Sequence, residues 1–278
     1  PGRSRSPMSM SPEVRSVILN YQGQVAVLRR QVDSYASAQW SLLDSWRDAD
    51  IERLVQALVP VSLGAQRRMV ALTDAYLAAV AVAQGARQAP SGVAVGAVTG
   101  AALRGVDLSV VYARTGPTIW RALEKGKPLG AAVALGRHRM TNMLMTDLQL
   151  TKTHTVRERQ RRDDSVVGYR RVLRPGGENC ALCVLASTQR YTRGDLMEIH
   201  PGCGCDVAEI RGSNDPGQVL DADAVDRLHQ QVQDEFGSHG RGGRGPVDYR
   251  DVMVRQHGEI GPVLTWRHQA FTGPADLN

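Results

Sequence analysis

All four cysteines of the chain lie within one segment of 26 residues, together with a histidine. Cys180 and Cys183 form a C-x2-C pair, and Cys203 and Cys205 form a C-x-C pair after a gap of nineteen residues. His200 begins an H-P-G run that leads directly into the second pair. Cysteines at such short spacings converge on one metal ion from tight turns, and four ligands complete the tetrahedral shell of Zn²⁺. The pattern predicts a structural zinc site. His200 is either an alternative ligand or a hydrogen-bond donor to the ligands.

Two other states of the cysteines remain open. They could form two disulfides that join the two pairs, or they could stay as thiols. The N-terminal run PGRSRSPMSMSPE is polar and lacks the apolar segment of a secretory signal, so we expect folding in a reducing compartment. That compartment favours metal-bound thiolates, although oxidation after release from a cell stays open.

A basic segment precedes the cysteines. Residues 152–174 hold eight basic side chains against three acidic ones, within a chain of net charge +6. The basic ones are Lys152, Arg157, Arg159, Arg161, Arg162, Arg170, Arg171 and Arg174. Such a patch can neutralise phosphates, so DNA is a candidate partner, while an acidic protein surface is the alternative. Only Tyr169 interleaves with these charges, which weakens the case for base stacking.

The first half of the chain has the periodicity of α-helices. Ser11, Pro12 and Glu13 give a helix start signal. Apolar residues then recur at alternating steps of four and three, at Val14, Ile18, Tyr21, Val25, Leu28, Val32 and Tyr35. We expect this stripe to pack against helices of the same chain, with self-association as the alternative, and Pro60 to end the region. Further helices are predicted over 63–87, 93–103, 117–124 and 129–161.

The pattern changes after residue 164. Residues 166–173 and 205–210 are typical of strands, and the first is expected to expose its basic residues. We predict a mainly α protein with an elongated helical body over 12–164, after a flexible N-terminus over 1–11. A small α+β module over 165–212, held together by the cysteines, is expected at the tip of the body. Residues 213–278 are expected to hold a short helix, a glycine-rich linker and an extended docking tail.

Two stretches of this sequence resemble the MuF-like minor capsid proteins of tailed bacteriophages. The run GENCALC over 177–183, followed by HPGCGC over 200–205, resembles the cysteine signature of that family. The runs HGEIGPVLT over 257–265 and FTGP over 271–274 are similar to the endings of such proteins in phages of actinobacteria. The resemblance covers about residues 120–278.

The resemblance implies a structural protein of the virion that acts during head morphogenesis. Its implied partners are the portal protein, the major capsid protein or a scaffolding protein, in the head interior or at the portal vertex, and the host cytoplasm during assembly. Packaged DNA is a further expected partner, and a membrane is not, because no uninterrupted apolar stretch reaches about 18 residues.

Two enzymatic alternatives accompany this interpretation. Some relatives in actinobacterial phages carry a capsid-maturation protease, but this chain has no G-x-S-x-G and no H-E-x-x-H motif. A zinc-supported nuclease of the H-N-H type needs a second histidine at suitable spacing, and none follows His200 until His229. We therefore expect no catalytic residues.

Overall fold

The protein is mainly helical, with a small three-stranded antiparallel sheet. The computed structural model describes residues 11–86, 92–174, 183, 186–187, 190–192 and 205–212, and the backbone of 252–257 and 261–266. The short helix and the glycine-rich linker expected within 213–278, and the last residues of the tail, lie outside these ranges.

Helix α1 spans Pro12–Trp40 and confirms the predicted start signal. Ser11 is its N-cap, and the Ser11 hydroxyl accepts a hydrogen bond from the backbone N–H of Val14 over 3.3 Å. The apolar stripe is buried from Val14 to Val32, and Tyr35 is half-buried. The stripe packs against helices α2 (Asp48–Ala83) and α5 (Leu129–Arg161) of the same chain, as expected.

The prediction that Pro60 ends the first helical region is wrong. The break lies at residues 41–47, and Pro60 lies inside α2. The buried face of α2 continues across the proline from Leu58 to Ser62, so tertiary packing outweighs the loss of one backbone hydrogen bond. The turn is fixed by the Asp50 carboxylate, which accepts hydrogen bonds from Ser45 and from the Trp46 backbone N–H. The Ser45 hydrogen bonds are the main reason why the pKa of Asp50 is far below its ordinary value.

Helix α5 confirms the prediction over 129–161 and runs through the interior. Between α2 and α5 lie two 3-10 turns, Val95–Val98 and Gly100–Leu103, then α3 (Leu108–Ala113) and α4 (Thr115–Glu124). The middle of α5 is polar yet buried on all sides. Its Asp147 carboxylate accepts hydrogen bonds from Arg104 (2.6 Å) and from the Tyr112 hydroxyl (2.7 Å). Buried polar groups of this kind need such partners, which other helices supply.

The sheet has the strand order β2-β1-β3 and is antiparallel throughout. Strand β1 is Val166–Val172, β2 is Arg190–Thr192 and β3 is Asp206–Arg211, which confirms the two predicted strands. Tyr169 and Ala208 belong to the same buried apolar cluster as the helices. The strands of this sheet therefore share one core with the helical body.

The described part of the tail is a β-hairpin and not a single extended peptide. Strands β4 (Val252–His257) and β5 (Gly261–Trp266) pair in antiparallel register from Val252 with Trp266 to His257 with Gly261. The β-branched and aromatic residues in VMVRQH and GPVLTW suit such a pair. In the described part of the chain, no helix combines the length and the apolar character that a membrane span requires.

Candidate metal centre

One cysteine from each of the two sequence pairs lies in the same buried cluster. Cys183 is 5% exposed and Cys205 is 2% exposed, and both pack with Leu103 and Leu150. Cys205 directly precedes β3, so the sheet fixes its backbone, and Leu150 reaches it from α5. The fold therefore brings one residue of each cysteine pair into the same buried cluster.

The sulfur of Cys205 accepts a hydrogen bond from a buried arginine. Arg171 Nη1 lies 2.9 Å from Cys205 Sγ, and Arg171 is 3% exposed. The register of β1 and β3 places Arg171 opposite Val207, two residues beyond the cysteine. An N–H donor next to sulfur stabilises the thiolate, which is the form that binds a metal.

The backbone carbonyl of Cys205 is held by two side chains of α5. Lys152 Nζ donates to it over 2.7 Å, and Gln149 Nε2 donates to it over 3.1 Å. These residues are three positions apart and so lie on one face of the helix. Lys152 also pairs with Asp206 Oδ1 at 2.5 Å, and both charges are buried. Helix α5 therefore positions the last cysteine of the sequence motif.

The same arrangement continues along β3 at alternate residues. The Tyr76 hydroxyl donates to the Val207 carbonyl over 2.8 Å, and Gln84 Nε2 donates to the Glu209 carbonyl over 2.8 Å. Residues 205, 207 and 209 direct their carbonyls away from β1, because neighbouring residues of a strand alternate in direction. Helical side chains thus occupy the outer edge of β3, which would otherwise present unpaired backbone groups.

Tyr191 closes the centre from β2. Its ring stacks on Tyr169 with ring centroids 5.0 Å apart, and its hydroxyl donates to the Ala186 carbonyl over 2.8 Å. Burial raises the pKa of Tyr191 to about 12, with Arg171 opposing the shift. A cavity of about 10 Å³ lies between Tyr76, Lys152 and Arg171, which is room for a single water molecule.

The described residues include two of the five predicted metal ligands, Cys183 and Cys205. Cys180, His200 and Cys203 lie outside the described ranges, and the residues inside them contain no group of three or more His, Cys, Asp or Glu side chains that could hold a metal. What is described fits zinc chemistry, because two buried sulfurs share a cluster and one of them faces a cationic N–H donor.

Two of the seven arginines of the predicted basic patch are buried. Arg159 is 2% exposed and donates from Nη1 to Asp74 Oδ1 over 2.9 Å, and Arg171 faces Cys205. Lys152, from the same segment, is 4% exposed. The expectation that β1 exposes its basic residues is therefore corrected at Arg171, because β1 directs this side chain into the core. These residues do not contribute to an exposed basic surface.

The other arginines of the patch lie at or near the surface. Arg161 and Arg162 are exposed, and both contact Glu158, at 3.5 Å and 2.6 Å respectively. Arg162 also donates to the Gly92 carbonyl over 2.8 Å. Arg157, Arg170 and Arg174 are half-buried. On the sheet, Arg170 is directly opposite Arg190, an exposed residue of β2.

A second buried charge cluster lies at the far end of β3. Arg211 Nη2 contacts Asp163 Oδ2 at 2.6 Å and Glu209 Oε2 at 2.7 Å. Burial raises the pKa of Glu209 despite the opposing charge of Arg211. Burial also acts to raise the pKa of Asp163, but hydrogen bonds from Arg211 and Ser165 outweigh it, and this pKa is lowered. These contacts join the end of α5 to the sheet.

Sequence reasoning missed Gln149 and Asp206 as supports of the cysteine motif. The available signal was the run LQLTKTH over 148–154, in which polar residues interrupt the apolar period of a long helix. Comparison with models of protein families, with curated proteins and with solved structures finds no match to this chain.

Proposed function

We propose that the chain is a structural minor capsid protein of a tailed bacteriophage, which acts at or near the portal and the head interior during procapsid assembly. In this proposal a zinc ion bound by Cys180, Cys183, Cys203 and Cys205, or with His200 in place of one of them, staples residues 165–212. The observation that carries it is the meeting of Cys183 and Cys205 in one buried cluster. The resemblance of the cysteine segment and the tail to MuF-like proteins supplies the biological role.

The zinc has a structural role in this proposal. Four protein ligands leave no coordination position for a substrate water, so such a site stabilises a fold and does not activate a nucleophile. A sheet of three short strands has little core of its own and gains from a metal staple. The rigid sheet and the helices would then form the surface that engages the portal, the major capsid protein or a scaffolding protein. The tail over 213–278 would dock on a neighbouring subunit.

Metal content and thiol titration test the centre. Freshly reduced protein is expected to bind one zinc ion per chain, and its thiols are expected to react only after chelation. Cys180→Ser and Cys203→Ser are expected to lose zinc and to become sensitive to protease within 165–212, while most helical signal remains. Val167→Thr, a conservative change on the exposed face of β1, is the matched control. Protein that folds without metal, and variants as resistant as the parent, would contradict the proposal.

Procapsid assembly in the presence of the protein tests its proposed role as a minor capsid protein. Procapsids assembled with the chain are expected to contain it beside the portal, and procapsids assembled with Cys203→Ser are expected to lack it. Protease and nuclease alternatives are tested directly: cleavage of capsid or scaffold precursor, or nicking of plasmid with Mg²⁺ or Mn²⁺, would contradict a structural role.

The exposed arginines are proposed to face packaged DNA. Replacing Arg161 and Arg162 by glutamine is expected to weaken binding to duplex DNA and to reduce the slope of log affinity against log salt by about 0.9 for each phosphate that is no longer neutralised. Arg15→Gln/Arg30→Gln removes the same charge from the exposed face of α1 and serves as the control. If the slope of log affinity against log salt is the same in the parent and in both double variants, Arg161 and Arg162 do not contact DNA, and their surface is assigned to a protein partner instead.

A further inference from the structure

Three residues outside the cysteine segment donate hydrogen bonds to Cys205, and two of them are cationic. Arg171 comes from β1, and Lys152 and Gln149 come from α5, yet all three donate hydrogen bonds to Cys205. None of the three belongs to the C-x2-C or C-x-C motif. The centre is therefore built partly from the helical body and not only from the segment that carries its ligands.

The burial of Arg171 needs a negative charge nearby. A guanidinium cannot lose its proton, so its removal from water is costly unless an anion faces it. Its acceptor at Cys205 is a sulfur atom, and a neutral thiol is a weak acceptor. A guanidinium N–H donates more strongly to a charged sulfur than to a neutral thiol, so this contact suits a thiolate at Cys205.

The charge of Lys152 is already balanced. Lys152 Nζ pairs with Asp206 Oδ1 at 2.5 Å, so this ion pair is neutral as a unit and its remaining hydrogen bond goes to the Cys205 carbonyl. Gln149 is uncharged and donates to the same carbonyl. The two α5 residues fix the backbone of the cysteine, while Arg171 contacts its sulfur.

We infer that Arg171 is a positioning residue of the cysteine centre, which orients the Cys205 thiolate and offsets its charge, and that Lys152 and Gln149 couple metal retention to helix α5. This inference rests on the proposed zinc centre. It adds that metal release disturbs the interior of the helical body, because Cys205 is one of the points at which α5 holds the sheet. Loss of zinc then acts on α5, which packs against both α1 and α2.

Zinc affinity of three variants tests the role of Arg171. Arg171→Met keeps most of the side-chain volume but removes the hydrogen-bond donors. Arg171→Lys keeps the positive charge but lacks the planar set of N–H donors of a guanidinium group. Arg161→Met is the control, because Arg161 is exposed. In a chelator competition, Arg171→Met is expected to bind zinc 10- to 100-fold more weakly than the parent. Arg171→Lys is expected to lie between them, and Arg161→Met to match the parent. Cobalt-loaded Arg171→Met is expected to show a shifted sulfur-to-metal charge-transfer band.

Equal zinc affinity of Arg171→Met and the parent would overturn the inference and leave the zinc centre itself intact. A parent protein that binds no zinc would instead overturn both proposals. Hydrogen exchange of the unmodified protein gives a second test that needs no variant. Zinc is expected to slow amide exchange in the α5 segment 147–156 as well as in β3. Slowing confined to the sheet would contradict the coupling to α5.

Discussion

The hydroxyl of Tyr76 donates a hydrogen bond of 2.8 Å to the backbone carbonyl of Val207, 131 residues further along the chain. Tyr76 is 4% exposed, and its ring stacks on Tyr21 with centroids 4.1 Å apart. This contact joins the C-terminal third of α2 to the outer edge of β3. It shows how the helices cover an edge strand of the described sheet with side chains.

Tyr76→Phe removes this donor without removing the ring. The buried Val207 carbonyl then loses its partner, so we expect the free energy of unfolding to fall by about 1–3 kcal/mol. Urea titration followed by circular dichroism measures the change. Tyr35→Phe is the control, because Tyr35 lies on the same face of α1 as Tyr21 but is only half-buried. A Tyr76→Phe protein as stable as Tyr35→Phe would show that the edge contact contributes little.

Lys152→Met leaves Asp206 as an unbalanced buried carboxylate. We expect a loss of about 3–5 kcal/mol, because breaking one side of a buried ion pair strands the other charge. The double variant Lys152→Met/Asp206→Asn removes both charges and is expected to recover most of that loss. Thermal and urea denaturation of the two variants measure the difference. If the double variant were no more stable than Lys152→Met, the ion pair would not be the source of the destabilisation.

Helix α1 was predictable because its signal is local. The stripe from Val14 to Val32 has the period of a helix with one apolar face, and Ser11 marks its start. The break at residues 41–47 was not predictable from such a signal. Trp46 adopts φ = 58°, a left-handed conformation that bulky residues rarely take. It is held by distant contacts, including the hydrogen bond from Trp120 Nε1 to its carbonyl, and no local sequence rule reports these.

The cysteines of the candidate site were predictable from the sequence, but the residues that contact Cys205 were not. The spacing of the cysteines is a pattern that sequence displays directly. Arg171 and Lys152, in contrast, lie in a strongly charged segment, and such segments usually face solvent. Their burial depends on Cys205 and Asp206, which are more than 30 residues away and come close only in the folded sheet. The charge pattern of the sequence therefore predicts an exposed position for Arg171 and Lys152, whereas both side chains are buried.

His154 gives the fold a dependence on pH. Burial lowers its pKa from 6.5 to about 4, and Arg157 and Arg161 add to the shift. Because the folded pKa is the lower one, the unfolded chain binds the proton first as the pH falls below 6.5. The stability due to neutral His154 is therefore complete above pH 6.5 and is lost between pH 6.5 and about 4. The full effect is about 3 kcal/mol.

His154→Gln stays neutral at every pH and is expected to flatten this part of the stability curve. Urea titrations at about pH 4, 5, 6 and 7 measure it, and the difference between parent and variant isolates His154 from the carboxylates. His138→Gln is the control, because His138 is exposed and its ring forms a hydrogen bond of 2.8 Å with the Asn142 side chain. An unchanged pH profile in His154→Gln would contradict the assignment.

Gly136 marks a close approach of α5 to its neighbours. A Cβ at this position would lie 2.5 Å from Ile119 Cγ1 and 3.0 Å from Trp40 Cη2. Gly136→Ala is therefore expected to destabilise the protein by about 1–3 kcal/mol, because both neighbours are buried and cannot move freely. Gly23→Ala is the matched control in α1, where a Cβ meets nothing within 4 Å. There the higher helix propensity of alanine is expected to add up to about 1 kcal/mol.

Opposite signs for these two glycine variants would identify packing, and not helix propensity, as the reason for glycine at position 136. Ile119→Val in the Gly136→Ala background removes one crowding atom, Cδ1, which would lie 2.8 Å from the new methyl group. The double variant is expected to lose less stability than the two single changes summed, since the residues are in contact. Strict additivity would show that α4 does not restrict the space beside α5, and equal stabilisation by both alanines would reject the close approach altogether.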